Sequence, residues 1–312
     1  MAFLRRMVLA LAIGYIFFFY SERMFWSFLR ADDTLLSQIP GWLVYSLFAY
    51  MTLAIIQHFR VRSIYALFLA GVVFGWIVEG IYAMTFFGGG GIPLPFSIIW
   101  TGVAWHALIS VTLGWYVLQK SLAERSYLHS LSLSALFGLF WGVWAVAWVF
   151  ETPPVTTTAG GFVAHAFATT ALLSLAFWLL PKLRPESFTP TRIERYVLGA
   201  LAVSFFALVT IPSVLFPAVI LVVAFAVIYF LLRRHRKSQH DSVATILSMF
   251  QKPVPMRKYF TIFAMPLVAS ATYIGLNGAG LVFRSNLPML VVTCLVGTTL
   301  LFVSSYTIIR EK

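Results

Sequence analysis

Ser63-Ile-Tyr-Ala-Leu-Phe-Leu-Ala-Gly71-Val-Val-Phe-Gly75-Trp-Ile-Val-Glu79-Gly-Ile-Tyr-Ala-Met-Thr85 contains one charged side chain, Glu79, and no proline. A helix rises 1.5 Å per residue, so about 20 apolar residues cross a hydrocarbon layer roughly 30 Å thick. The stretch over 63–85 is long enough to do so. Inside lipid the backbone must satisfy its own hydrogen bonds, which leaves helices or a closed barrel. Apolar residues here run continuously rather than alternating, so the segment reads as a membrane helix and not as a barrel strand.

Segments of the same kind recur along the chain. They predict spans over 3–20, 41–57, 63–85, 96–118, 130–150, 160–180, 196–211, 214–232, 259–282 and 287–308. Composition agrees: 61% of the 312 residues are hydrophobic and 10% are charged, against about 25% charged in soluble domains. No charged stretch is long enough for a soluble domain. Arg5 and Arg6 precede the apolar stretch of the first span, as in a signal peptide, but the run ends in Phe-Phe-Phe-Tyr-Ser-Glu without a small-residue cleavage pattern. They read as a retained helix. Pro212 and Pro217 set the break between the seventh and eighth spans, because proline removes an amide donor and disfavours helix before it.

Charge sets the orientation. With the N-terminus in the cytoplasm, all of the 22 Lys and Arg except Arg23, Arg30 and Arg284 fall on the inner side. That is the bias expected of cytoplasmic loops, and a nine-span alternative would scatter it. The expected fold is therefore an all-α, polytopic integral membrane protein of about ten helices arranged as hairpins, with both termini in the cytoplasm of a cell with this protein in its plasma membrane. The net charge of +12 needs no nucleic-acid partner; attraction to anionic lipid of the inner leaflet accounts for it. The single Cys294 excludes a disulfide or a cysteine metal centre within one chain.

All ten Trp lie at or before Trp178. A proline-rich loop, 181–190, follows, and divides a Trp-rich six-helix bundle (1–182) from a four-helix half with basic loops (183–312). Within the second half, Val243, Ile246, Leu247 and Phe250 follow Asp241-Ser242 at helical spacing. They predict a short helix lying on the inner surface with its basic flanks near lipid headgroups, or a plain basic loop.

The first half repeats itself. Gly102-Val-Ala-Trp-His106-Ala-Leu-Ile-Ser110 matches Gly161-Phe-Val-Ala-His165-Ala-Phe-Ala-Thr169, and the second span offers a weaker copy with Gly41 and Tyr45 in the Gly and His positions. Each of these is preceded by a helix ending near a glutamate: Glu22, Glu79 and Glu151. Three tandem hairpins with one plan are expected. Gly71, Gly75 and Glu79 form a stripe that lets helices approach closely, so Glu79 is expected to face a neighbouring helix.

Ionisable groups inside a span face the bundle interior and pair. Glu79, His106, Glu151 and His165, with Ser110 and Thr169, form the candidate polar site in the outer half of spans three to six. Three uses compete. The residues fix helix register as self-satisfied pairs, or they relay protons in transport. Alternatively, the two His and two Glu hold a divalent metal, since imidazole and carboxylate suit zinc, iron or manganese. No His-x-x-x-His or Glu-x-x-His motif, phosphate loop or nucleophile elbow is present. The uncharged loop Gly88-Gly89-Gly90-Gly91 is a connector or a lid over the site. The expected function is transport of a small solute or ion. The alternatives are a metal-dependent membrane enzyme acting on a lipid or isoprenoid, and a non-catalytic scaffold or accessory subunit. The expected partners are membrane lipid, an unspecified solute or ion, and further subunits.

Overall fold

The computed structural model describes residues 2–25, 35–88, 92–152, 154–238 and 244–311. Ten helices among them are long and apolar enough to cross a membrane: α1 (Phe3–Arg23), α2 (Leu36–His58), α3 (Ile64–Tyr82), α4 (Phe96–Glu124), α5 (Tyr127–Phe150), α6 (Ala159–Leu183), α7 (Arg192–Leu215), α8 (Pro217–Lys237), α9 (Met256–Gly278) and α10 (Asn286–Arg310). No strand occurs among the described residues. The chain is a multi-pass α-helical membrane protein.

The break between α7 and α8 falls at Val214, whose φ of −148° and ψ of 53° leave the helical region. Pro217, three residues on, carries no amide to continue the ladder. Several helices overrun the expected spans. The most consequential is α1, which continues through Ser21, Glu22 and Arg23 in a π-helical turn, Phe19–Arg23. These polar residues are thereby part of a helix and not of a loop.

The core is aromatic and lies among the first six helices and α9. Trp105, Trp115, Trp141, Trp144 and Trp148 are all buried. α1 packs on α2, α4 and α6, α3 on α4, and α9 fills the space against both α5 and α6. α10 packs on α3 and α4. Packing therefore crosses the boundary drawn at residue 182. Small residues set these approaches. A Cβ on Gly138 would lie 2.3 Å from the Met265 carbonyl oxygen, and one on Gly142 2.6 Å from that of Ala269, which is how α5 and α9 come together. α7 is the opposite case and is almost wholly unburied; Ile193, Val203 and Leu208 point outward, as suits side chains whose solvent is lipid.

The expected surface helix is corrected in its described part; Asp241, Ser242 and Val243 lie outside the described residues. Ile246–Gln251 is a short 3₁₀ turn. It lies against the end of the bundle rather than on lipid. The Ile246 amide donates to the Val61 carbonyl at 2.8 Å, Leu247 and Phe250 are fully buried, and the Phe250 ring stacks on Trp115 at 4.9 Å. Its apolar positions find an aromatic socket, which buries them more completely than a headgroup layer would. Gly89, Gly90 and Gly91 of the loop read as connector or lid also lie outside the described residues, as does Pro153.

At the same end Lys258 is buried and its ammonium donates to the carbonyls of Leu122, at 2.9 Å, and Arg125. It closes the last turn of α4, where carbonyls have no partner within the helix. Lys258→Met is expected to destabilise the protein by about 1–2 kcal/mol through carbonyls left unmet. Unfolding in detergent measures this, and an unchanged midpoint would remove Lys258 as the cap.

Candidate functional site

The site begins with how closely α3 and α4 approach. A Cβ on Gly75 would lie 2.1 Å from the Gly102 carbonyl oxygen, and one on Gly71 3.0 Å from the Ala107 Cα. Lower numbers on α3 thus meet higher numbers on α4, so the helices are antiparallel. Helical side chains lean toward the N-terminus of their own helix. In an antiparallel pair they lean toward each other, and this brings Glu79 and His106 together although their backbones are not level.

His106 Nε2 lies 2.6 Å from Glu79 Oε1, with Glu79 6% and His106 2% exposed. The other ring nitrogen, Nδ1, is 2.9 Å from Ser21 Oγ, which is 2.7 Å from Ser110 Oγ. The second carboxylate oxygen of Glu79 accepts from the Thr85 hydroxyl, and Thr85 Oγ1 is 3.4 Å from Thr101 Oγ1. Thr85 returns to Glu79 because Met84 turns the chain in the left-handed region, at φ 64°. The polar chain thus runs Thr85, Glu79, His106, Ser21, Ser110. Thr85 is partly exposed, whereas Ser21 and Ser110 are buried.

A second acid pair lies beside the first. The Tyr45 hydroxyl donates to Glu22 Oε1 at 2.7 Å, and the Tyr45 ring centroid is 6.1 Å from that of His106. Glu22 and Glu79 both sit in π-helical turns, Phe19–Arg23 and Val78–Tyr82, and His106 and Ser110 lie in the π-helical stretch Gly102–Val117 of α4. Single π turns recur at functional sites because the extra residue per turn re-aims side chains.

The remaining expected site residues lie elsewhere. His165 Nε2 donates to the carbonyl oxygen of Arg23 at 3.1 Å, which ties α6 to the last turn of α1. Thr169 donates to the His165 carbonyl of its own helix at 2.7 Å and is no part of the chain. Glu151 is half-buried just past the end of α5, its amide donating to the Trp148 carbonyl at 3.2 Å. Among the described residues no three His, Cys, Asp or Glu side chains are placed to share a metal ion. Ser21 and Thr85 were not among the expected site residues. Ser21, Glu22 and Arg23 form a hub that reaches α4, α2 and α6, yet as sequence they look like the polar start of a loop.

The arrangement can hold a proton in two forms without moving heavy atoms. With His106 neutral and protonated at Nε2, that N–H donates to Glu79, while the Ser21 hydroxyl donates to Nδ1 and Ser110 donates to Ser21. With His106 protonated at both nitrogens, Nδ1 donates to Ser21 and the two hydroxyls rotate to pass the bond on, since each hydroxyl is both donor and acceptor. No protein-family model, curated protein or solved structure matches the chain.

Proposed function

We propose that this chain is a membrane transport protein whose proton-binding site is the Glu79–His106 pair. The observation that carries the reading is the hydroxyl chain on the Nδ1 side of His106, with Ser21 Oγ at 2.9 Å and Ser110 Oγ a further 2.7 Å on: either hydroxyl can donate or accept, so this buried network meets the imidazole in both charge states, as suits a group that must gain and lose a proton inside a membrane. Thr85, at the end of the network nearer α3's last turn, is its partly exposed member and supports access for a proton from that end. The charge bias of the loops supports placing that end outside and both termini in the cytoplasm, in the plasma membrane. The parallel pairs Glu22 with Tyr45 and Glu79 with His106 support descent of the first two hairpins from one unit.

One observation favours a second reading. The network is buried and its members satisfy one another, which is also what a non-catalytic scaffold would use to lock helix register. The lipid-acting enzyme has less support. The lateral clefts lined by Leu108, Phe137 and Val296, and by Met7, Leu43 and Val197, are almost wholly apolar and take in no residue of the Glu79–His106 chain.

The test needs no known substrate. Proteoliposomes adsorbed on a solid-supported membrane are given a step in external pH, and the displaced charge is recorded. The wild-type protein is expected to give a transient current that protein-free liposomes lack. Glu79→Gln, which keeps the shape and a hydrogen bond but cannot titrate, is expected to abolish it while leaving the unfolding midpoint within a few degrees. No current from the wild type, or an undiminished one from Glu79→Gln, gives the scaffold reading precedence.

A further inference from the structure

At the end of the bundle that holds Arg6, Arg62 and Glu311, α8 leaves the apolar layer through Phe230, Arg233, Arg234 and Lys237. These residues, with Ser238 and Glu311, line a cavity of about 550 Å³. We propose that this cavity binds the phosphate-bearing headgroup of an anionic membrane lipid. The inference is independent of the Glu79–His106 pair.

Three cations face one carboxylate there, and that carboxylate is already engaged. Glu311 Oε2 accepts from His235 Nδ1 at 2.6 Å and from the Ser238 hydroxyl at 3.1 Å. His235 is fully buried, and its other nitrogen accepts the Arg62 amide at 3.3 Å, so Nδ1 is the nitrogen that carries the proton and donates to Glu311. Arg234 is engaged as well. Its guanidinium donates to the carbonyls of Ile308, at 3.3 Å, and Glu311, at 3.4 Å, which clamps the end of α10 to the end of α8 and builds one wall. Arg233 and Lys237 are exposed and have no ion-pair or hydrogen-bond partner among the described residues. They supply the two cations a phosphate would meet, one of them a planar fork suited to two phosphate oxygens.

Size and position distinguish a lipid from a soluble anion. The volume falls in the range of small-molecule sites, roughly 300–1,000 Å³, and exceeds what a bare phosphate fills. Phe230 is 63% exposed and lies two turns before Lys237 on a helix long enough to span the membrane. It offers the acyl side of the cavity an apolar contact while the basic groups sit at headgroup depth. A lipid satisfies both at once; a free phosphate uses only the basic half.

Native mass spectrometry of the detergent-purified full chain tests this with three probes: phosphatidylglycerol, phosphatidylcholine and inorganic phosphate. The wild type is expected to retain phosphatidylglycerol in preference to phosphatidylcholine. Arg233→Gln/Lys237→Gln is expected to weaken that retention about tenfold or more, since each basic group at the membrane surface contributes to anionic-lipid attraction. A second pair, Arg192→Gln/Arg195→Gln, removes the same charge from exposed positions at the same end and is expected to leave retention unchanged. An equal loss in both pairs would overturn the site in favour of a diffuse surface potential. Inorganic phosphate that competes at the same concentration as the lipid would overturn the lipid as its occupant.

Discussion

His106→Leu is expected to lower the stability of the folded protein by about 3 kcal/mol, and a second substitution, Glu79→Leu, to return most of that loss. The single change strands a carboxylate that is 6% exposed and has only Thr85 left to bond. Removing one partner of a buried ion pair costs roughly 3–5 kcal/mol, whereas replacing both by apolar groups of similar volume is often neutral. The lower end applies here because a carboxyl can take up a proton instead of remaining charged. The hydroxyls of Ser21 and Ser110 still bond to each other at 2.7 Å, so the double variant leaves no unmatched charge. Reversible unfolding of the four proteins of the cycle in detergent gives the coupling energy. Additive losses would mean that the pair at 2.6 Å carries no coupling, and both the proton site and the strut would lose their foundation.

Such a pair was legible in the sequence because two signals agreed. Glu79 stands on a stripe with Gly71 and Gly75, which says that it faces a helix, and His106 stands four residues from Gly102 and from Ser110, on one face of its own helix. A glycine stripe reports a close approach, and an ionisable residue on it has nowhere to go but a partner. The ten spans were legible for a similar reason: each needs about 20 apolar residues, and Pro212 and Pro217 mark the one break between adjoining spans. Where His165 and Glu151 would lie was not legible. His165 carries the same local motif as His106, yet its partner is a backbone carbonyl on α1, because helix order in space, with α1 against both α4 and α6, is not written in local spacing. Ser21 was hidden for a different reason. Ser-Glu-Arg at the end of an apolar run looks like an exit to water, and only the π-helical continuation of α1 turns Ser21 inward. The turn Ile246–Gln251 shows the same limit from the other side: its periodicity announced an apolar face, but not that Trp115 and Val61 would receive it.

Gly75→Ala and Gly199→Ala are expected to move stability in opposite directions. Both add one methyl group to a helix, and in an exposed helix interior alanine is favoured over glycine by roughly 0.5–1 kcal/mol. At Gly199, on the outward-facing α7, a Cβ meets nothing within 4 Å, so the protein should gain about that amount. At Gly75 the same methyl would lie 2.1 Å from the Gly102 carbonyl oxygen and 2.8 Å from the Gly102 Cα. Those atoms are backbone and cannot rotate aside, so α3 and α4 must separate. Overpacking of this kind costs about 1–3 kcal/mol, which outweighs the propensity gain. Separation also acts on the site, because Glu79 and His106 meet only while their helices are close enough for two inward-leaning side chains to touch. Gly75→Ala should therefore lose the pH-step current as well as stability, whereas Gly199→Ala keeps it. Thermal unfolding of the two variants beside the wild type, followed by the same charge-displacement measurement, checks both effects. A Gly75→Ala protein as stable as the wild type would mean that α3 and α4 do not approach through this glycine, and the geometry proposed for the proton site would fall with it.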